Sequence, residues 1–206
     1  MSTILVFAGG GLPEGNLTDE LPTPDLVVAA DSGYDLAVHF GYRVDVLVGD
    51  MDSISAVDIP DHVLVERHPP DKDQTDLDLA MEFALGKHPR RVVVIGGTGG
   101  RFDHEIATSG LLCSDRWAAI DEIDWVSSRG RAHVVRGRRI IHGDVGTTMS
   151  LIPFGGTATV TTKGLEWDLS GDDLASGSTW GVSNVLRAPV ADIRVESGCL
   201  LVVLPT

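Results

Sequence analysis

Around residue 130 the rhythm of this sequence changes. Up to that point short apolar runs alternate with stretches of helical period. The strand-like runs are Ile4–Ala8, Leu26–Ala30, Val46–Val48, Val63–Glu66, Val92–Ile95 and Ile123–Ser127. Several are unbroken β-branched segments, as expected of strands buried on both faces. Tyr34–Phe40, Asp76–Leu85 and His104–Trp117 read as helices between them, and Thr75 with Asp78 resembles a capping box opening the second. Such alternation predicts an α/β region with a mostly parallel sheet and right-handed crossovers. Beyond residue 130 helical period disappears. Short runs recur between turn residues: Ala132–Val135, Arg139–Ile141, Thr148–Pro153, Ala158–Thr162, Asn184–Arg187, Asp192–Val195 and Leu200–Leu204. That pattern predicts an antiparallel sandwich or barrel. The expected organisation is therefore two domains, 1–130 and 131–206, with no repeat and no low-complexity linker.

Charge follows the same division. Residues 1–130 hold 23 acidic and 9 basic side chains, and residues 131–206 hold 7 of each, so the whole net charge of −14 lies in the first region. A chain this acidic lacks the Lys and Arg needed to neutralise a nucleic-acid backbone or to settle on an anionic membrane. Cys113 and Cys199 form no CxxC site and no disulfide framework, and read as small buried hydrophobes. No apolar run approaches the ~20 residues of a membrane span, and Met1–Phe7 lacks a basic leader. A soluble, cytoplasmic protein is expected.

Three segments carry chemistry. In Gly49-Asp50-Met51-Asp52 two carboxylates follow a strand at i, i+2, which in extended backbone puts both on one side. Ligands bind beyond strand C-termini in open α/β sheets, and paired carboxylates there suit Mg²⁺. A solvated turn with one capping Asp is the plain alternative. Asp71-Lys72-Asp73-Gln74-Thr75-Asp76 follows the next strand and precedes a helix. Asp76 is favourable in a first helical turn without any function; Asp71 and Asp73 are harder to assign to capping, and Lys72 is available for a phosphate. Gly96–Gly100, followed by Arg101, Phe102, Asp103 and His104, joins a buried strand to a helix. Its glycines admit backbone N–H groups to an oxyanion, and Arg101 adds a charged fork. Neither a Walker A loop nor GxGxxG fits it, and a tight turn without ligand remains the other reading. Together the three segments present the parts of Mg²⁺-nucleotide chemistry at successive strand ends.

In order, these residues resemble the thiamine pyrophosphokinase (thiamine diphosphokinase) family. The matching segments are Ala30–Gly33, Gly49–Ser53, Asp73–Asp76 and Gly99–His104, then Ser150–Pro153, Thr162–Leu165, Gly181–Asn184 and Ser197–Leu201. Where the family often has Ala-Asp-Gly-Gly this chain has Ala30-Asp31-Ser32-Gly33, and Met51 replaces the common aromatic between the paired aspartates. The resemblance implies an α/β catalytic domain followed by a β-sandwich, a homodimer, and transfer of diphosphate from ATP to thiamine with release of AMP. It implies Mg²⁺ at Asp50, Asp52 and Asp76. It also implies a nucleotide and thiamine site lined by Asp31, Thr75, Arg101 and Asp103, beside which Lys72, Asp73, Gln74, Gly99 and Gly100 are read as further ATP-binding candidates. Ser183 and Asn184 would hold thiamine. Trp180 is either a stacking partner or a core residue, His104 a helix first-turn residue, and Lys163 a phosphate ligand or a strand-edge cover. Rival readings are a pyrophosphokinase for another hydroxymethyl heterocycle such as a pterin, Mg²⁺-dependent nucleotide hydrolysis, and a non-catalytic nucleotide or thiamine sensor.

Overall fold

The computed structural model describes residues 2–11, 21–51 and 59–206. The chain divides into two compact units, Met1–Thr108 with Ala119–Arg129, and Ser109–Ala118 with Gly130–Thr206.

In the first unit every strand runs parallel. β1 (Thr3–Ala8), β2 (Leu26–Ala30), β3 (Val46–Gly49), β4 (Leu64–Arg67), β5 (Arg91–Ile95) and β6 (Glu122–Ser127) lie in the order β6-β5-β1-β2-β3-β4. The central strands are apolar because both faces are covered: Leu5, Val6, Phe7, Val28, Leu47, Val48, Val92 and Ile95 are all fully buried. α1 (Gly33–His39) turns Tyr34, Leu36 and Ala37 into one core, where Phe7 also meets Tyr42 at 5.2 Å between rings. α2 (Asp76–Leu85) buries Leu77, Leu79, Ala80, Met81 and Ala84. At its N-terminus Thr75 Oγ1 accepts from the Asp78 amide at 3.2 Å, the first bond of the expected capping box.

The chain proceeds outward from β1 through β2, β3 and β4 and then returns to β5 on the other side of β1. The strand order therefore reverses between β1 and β5, which opens a crevice at their C-terminal ends. Gly9–Gly11 leaves β1 there and Gly96–Gly100 leaves β5. The two loops touch: the Gly97 amide donates to Gly9 O at 2.8 Å, and the Gly11 amide donates to Thr98 O. An added Cβ on Gly99 would stand 2.8 Å from Gly11 Cα, so this crossing requires glycine.

Helix α3 (Phe102–Leu112) is shorter than the sequence suggests. Ser114 takes extended backbone and caps a separate 3-10 turn over Asp115–Trp117, which divides the expected helix His104–Trp117 in two.

The second unit is antiparallel and β-rich. β7 (Gly130–Val135), β8 (Arg138–His142), β9 (Thr148–Lys163), β10 (Ser170–Leu174), β11 (Asn184–Val185) and β12 (Val190–Pro205) pair as β10-β9-β12-β7, with β11 on β9 and β8 on β12. Two pairs of expected short strands are in fact single 16-residue strands, β9 and β12. The turn-like Gly155-Gly156 and Ser197-Gly198 are bends inside a continuous ladder, with register shifts between Val195 and Cys199. Polar β10 escapes apolar patterning because it is a mostly exposed strand on Ala158–Thr161. The core of this unit includes Met149, Leu151, Val160, Leu174, Leu186, Ile193 and Val202.

Candidate active site

Carboxylates gather at the C-terminal ends of β2 and β3. Asp31 follows β2, Asp50 follows β3, and Asp76 opens α2. One ligand oxygen from each lies within 4.8 Å of the others. The backbone is bent to achieve this. Asp31 and Met51 have φ of 46° and 71°, left-handed values uncommon outside glycine. The Asp31 amide is tied to Val48 O at 2.9 Å, which fixes it across the ends of both strands. Gly49 lies between them with φ 145°, and a Cβ there would meet Asp76 Oδ1 at 3.0 Å and Asp31 Cβ at 3.3 Å. Glycine keeps the space into which the carboxylates converge.

Lys72 reaches into the same cluster. Its Nζ is 2.9 Å from Asp76 Oδ1 and 3.6 Å from Asp50 Oδ2, and the lysine side chain is only 14% exposed. Burial pushes the ammonium pKa down, but the hydrogen bond and charge of Asp76, joined by Asp50, outweigh it and raise it above the usual 10.5. Lys72 is therefore a fixed positive charge at neutral pH.

The donor set suits a hard divalent cation, being carboxylate oxygen throughout. Opposite ligands of Mg²⁺ stand about 4.2 Å apart at bond lengths of about 2.1 Å, so a cluster within 4.8 Å is of the size one ion spans. Asp52, the second aspartate of the expected pair, lies outside the described residues.

Other expected site residues have individual places. Asp73 is exposed and Gln74 half-buried in the turn before α2, while Thr75 is that helix's cap. The Gly99 amide already donates to Glu105 Oε1 at 2.9 Å, whereas Gly100 is exposed, with open space where a side chain would be. Arg101 and Asp103 pair with each other through two bonds of 3.1 and 2.5 Å, both well exposed. The Arg101 guanidinium, with the His104 amide, holds the Asp103 carboxyl below its ordinary 3.8. His104 is an exposed first-turn residue of α3.

In the second unit Trp180 is 60% exposed, so it is not a core tryptophan. Gly181 permits this by lying flat on β9, where its carbonyl accepts from the Leu151 amide at 2.8 Å. Ser183 has φ 61° and donates its amide to Ser150 Oγ at 3.1 Å. Asn184 is buried and holds the Trp167 backbone from both sides, Oδ1 accepting from Trp167 N at 3.2 Å and Nδ2 donating to Trp167 O at 2.8 Å. Its amide positions a loop carrying a second exposed tryptophan, Trp167. Lys163 closes β9 opposite Asp192 and is exposed.

Two family models match the chain in sequence order. Residues 18–120 match the thiamin pyrophosphokinase catalytic domain, and residues 136–200 match the thiamin pyrophosphokinase vitamin B1 binding domain. The chain belongs to the thiamin pyrophosphokinase family. A thiamine pyrophosphokinase 2 of Arabidopsis thaliana is 31% identical over 177 residues, 77% of this chain and 64% of that protein; the chain thus spans somewhat under two thirds of that relative. The thiamine pyrophosphokinase of Bacillus subtilis is 29% identical over the full length of both chains. A crystal structure of the B. subtilis thiamine pyrophosphokinase superposes with TM-score 0.85 at 28% identity, covering 100% of this chain and 99% of that one. Against this thiamin pyrophosphokinase background, the residues missed by sequence reasoning are Gly9–Gly11, Gly49 as a spacer, and Trp167. Three glycines directly after the first buried strand were the available signal for the first; nothing in the sequence around Trp167 announces its exposure.

Proposed function

We propose that this chain transfers the β,γ-diphosphate of ATP to the hydroxyl of thiamine, giving thiamine diphosphate and AMP. The observation that carries this reading is the convergence of Asp31, Asp50 and Asp76 around Gly49 in a member of the thiamin pyrophosphokinase family. In this reading residues 1–130 form the ATP domain and residues 131–206 a β-sandwich that takes thiamine. The bends of β9 and β12 support the sandwich, since one bent strand can serve two layers. Asp50 and Asp76, with Asp31 beside them and Asp52 of the same motif, would hold Mg²⁺. Bound there, the ion draws charge from polyphosphate oxygens.

The protein's own groups position and neutralise. Lys72 presents an ammonium already desolvated beside the carboxylates, suited to a phosphate oxygen that enters the cluster. Arg101 exchanges its Asp103 partner for terminal phosphate oxygens, and the Gly96–Gly100 loop lies at the crevice between β1 and β5. Thr75, Asp73 and Gln74 shape the approach to α2. The thiamine hydroxyl oxygen bonds to the β-phosphorus as the bond to the α,β-bridging oxygen breaks, and AMP keeps that electron pair. The hydroxyl proton passes to solvent. A loose transition state needs little early deprotonation, and Asp103 is a weak base while Arg101 holds it. Trp180 and Ser183 are the thiamine contacts, with Asn184 fixing the loop beside them. The free thiols of Cys113 and Cys199 suit a reducing, cytoplasmic setting. A homodimer is the proposed assembly, supported by large apolar side chains left in solvent in each unit, among them Phe102, Ile106 and Trp167.

One assay tests the proposal: ATP and Mg²⁺ with and without thiamine, with products identified. AMP and thiamine diphosphate in equal amounts are expected. AMP or ADP without thiamine would replace the reading by hydrolysis, and no turnover would leave a sensor.

A further inference from the structure

Both cysteines of the chain lie together in the second unit, beside one arginine. Cys199 is on β12, opposite Phe154 of β9. The antiparallel register that sets Leu200 against Val135 places Arg136, the next residue of β7's strand direction, beside Cys199. Arg136 in turn donates Nη2 to Ser114 O at 2.8 Å, the carbonyl that follows Cys113. The guanidinium thus joins the two segments that carry the thiols. The thiols are within hydrogen-bonding reach of each other, and Arg136 acts electrostatically on both. The bond from the Cys113 thiol lowers the Cys199 pKa, with help from Arg136, and the same bond raises that of Cys113. Of the two thiols, Cys199 is thus the one biased toward the thiolate, against the opposing effect of burial.

The pair is buried but shallow. Cys113 and Cys199 are 8% and 5% exposed, while Gly198, adjoining Cys199, and Asp115, two residues beyond Cys113, are open to solvent. Buried cysteines that serve only as packing are inert, but a thiolate next to a cation and a second thiol is the arrangement that reacts.

We propose that Cys113 and Cys199 are a redox-responsive dithiol, closed to an intramolecular disulfide by hydrogen peroxide, with Arg136 holding the attacking Cys199 thiolate. The Cys199 sulfur attacks one peroxide oxygen, the O–O bond breaks and hydroxide leaves, giving a sulfenic acid. The Cys113 sulfur then bonds to the Cys199 sulfur, displacing the oxygen as water. In sum two thiols and one peroxide become one disulfide and two waters, the two electrons passing from sulfur to oxygen. A thiol reductant reverses it.

The test treats the full-length chain with hydrogen peroxide and follows intact mass, thiol content in denaturant and the non-reduced peptide map. The expected product is two hydrogens lighter, has no titratable thiol, yields one peptide joining Cys113 to Cys199, and recovers both thiols with dithiothreitol. In Cys113→Ser, dimedone should trap a sulfenic acid at Cys199. In Arg136→Met the closure rate should fall about tenfold, as expected if the thiolate population drops by one pKa unit. Two thiols surviving peroxide that oxidises exposed methionine, or a disulfide joining two chains, would overturn the proposal. The wild-type map decides this even if a variant fails to fold. An unchanged rate in a folded Arg136→Met would remove Arg136 from it.

Discussion

Gly49 carries more of the candidate site than its size suggests. Its φ of 145° is almost closed to other residues, and its missing Cβ leaves room for Asp76 and Asp31. Gly49→Ala should displace the carboxylates and lower ATP-dependent turnover by about 100-fold, the usual effect of a 1 Å misplacement. Gly41 supplies the control. It too has positive φ, 77°, but no neighbour within 4 Å of an added Cβ, so Gly41→Ala should lose about 1 kcal/mol of stability from backbone strain and keep its turnover. Comparable activity in the two variants would remove Gly49 from the site. At this scale sequence reasoning reached Asp50 and Asp76 because spacing and strand ends are one-dimensional signals. It did not reach the spacer role of Gly49, which exists only once β2, β3 and α2 have met. Asn184 is the counterpart on the other side: its chemistry invites a ligand, but its amide is engaged with the Trp167 backbone.

At the scale of elements the parallel strands were legible because burial on both faces leaves β-branched runs. The antiparallel ones were legible only in part. Gly155-Gly156 and Ser197-Gly198 read as turns between short strands, yet in β9 and β12 they let one strand bend without leaving its ladder. Gly198 is the tightest of these positions, with φ 84° and the Thr157 carbonyl 2.5 Å from an added Cβ. Gly198→Ala should therefore cost about 2–4 kcal/mol, combining strain at positive φ with a backbone clash. Urea unfolding measures it, and a loss under about 1 kcal/mol would mean the bulge relaxes freely. α3 teaches a related lesson. Helical period continued through Trp117, but Ser114 offered its hydroxyl to the backbone and broke the helix.

For the whole chain the division of charge has a measurable consequence. All of the excess −14 lies in residues 1–130. Part of it is concentrated at Asp31, Asp50 and Asp76, the carboxylates that converge around Gly49. The remainder makes a negative field, which attracts a cationic heterocycle and repels free ATP. Raising salt to about 1 M shortens the Debye length to about 3 Å. kcat/KM for thiamine should then fall while kcat changes little. A thiamine dependence indifferent to salt would mean that the field plays no part in capture.

The four tryptophans sort by environment in a way that lends the protein its own optics. Trp117 and Trp125 are buried, and the Trp125 indole N–H donates to Gly96 O at 2.8 Å, at the root of the loop after β5. Trp167 and Trp180 stand about 60% in water. The emission of the chain is thus a sum of a blue pair shielded from collisional quenchers and a red pair open to them. Iodide can silence the second pair, both members of which lie in the second unit, and leave Trp117 together with the Trp125 indole bonded to the glycine loop, so the protein separates its exposed from its buried surroundings without a label.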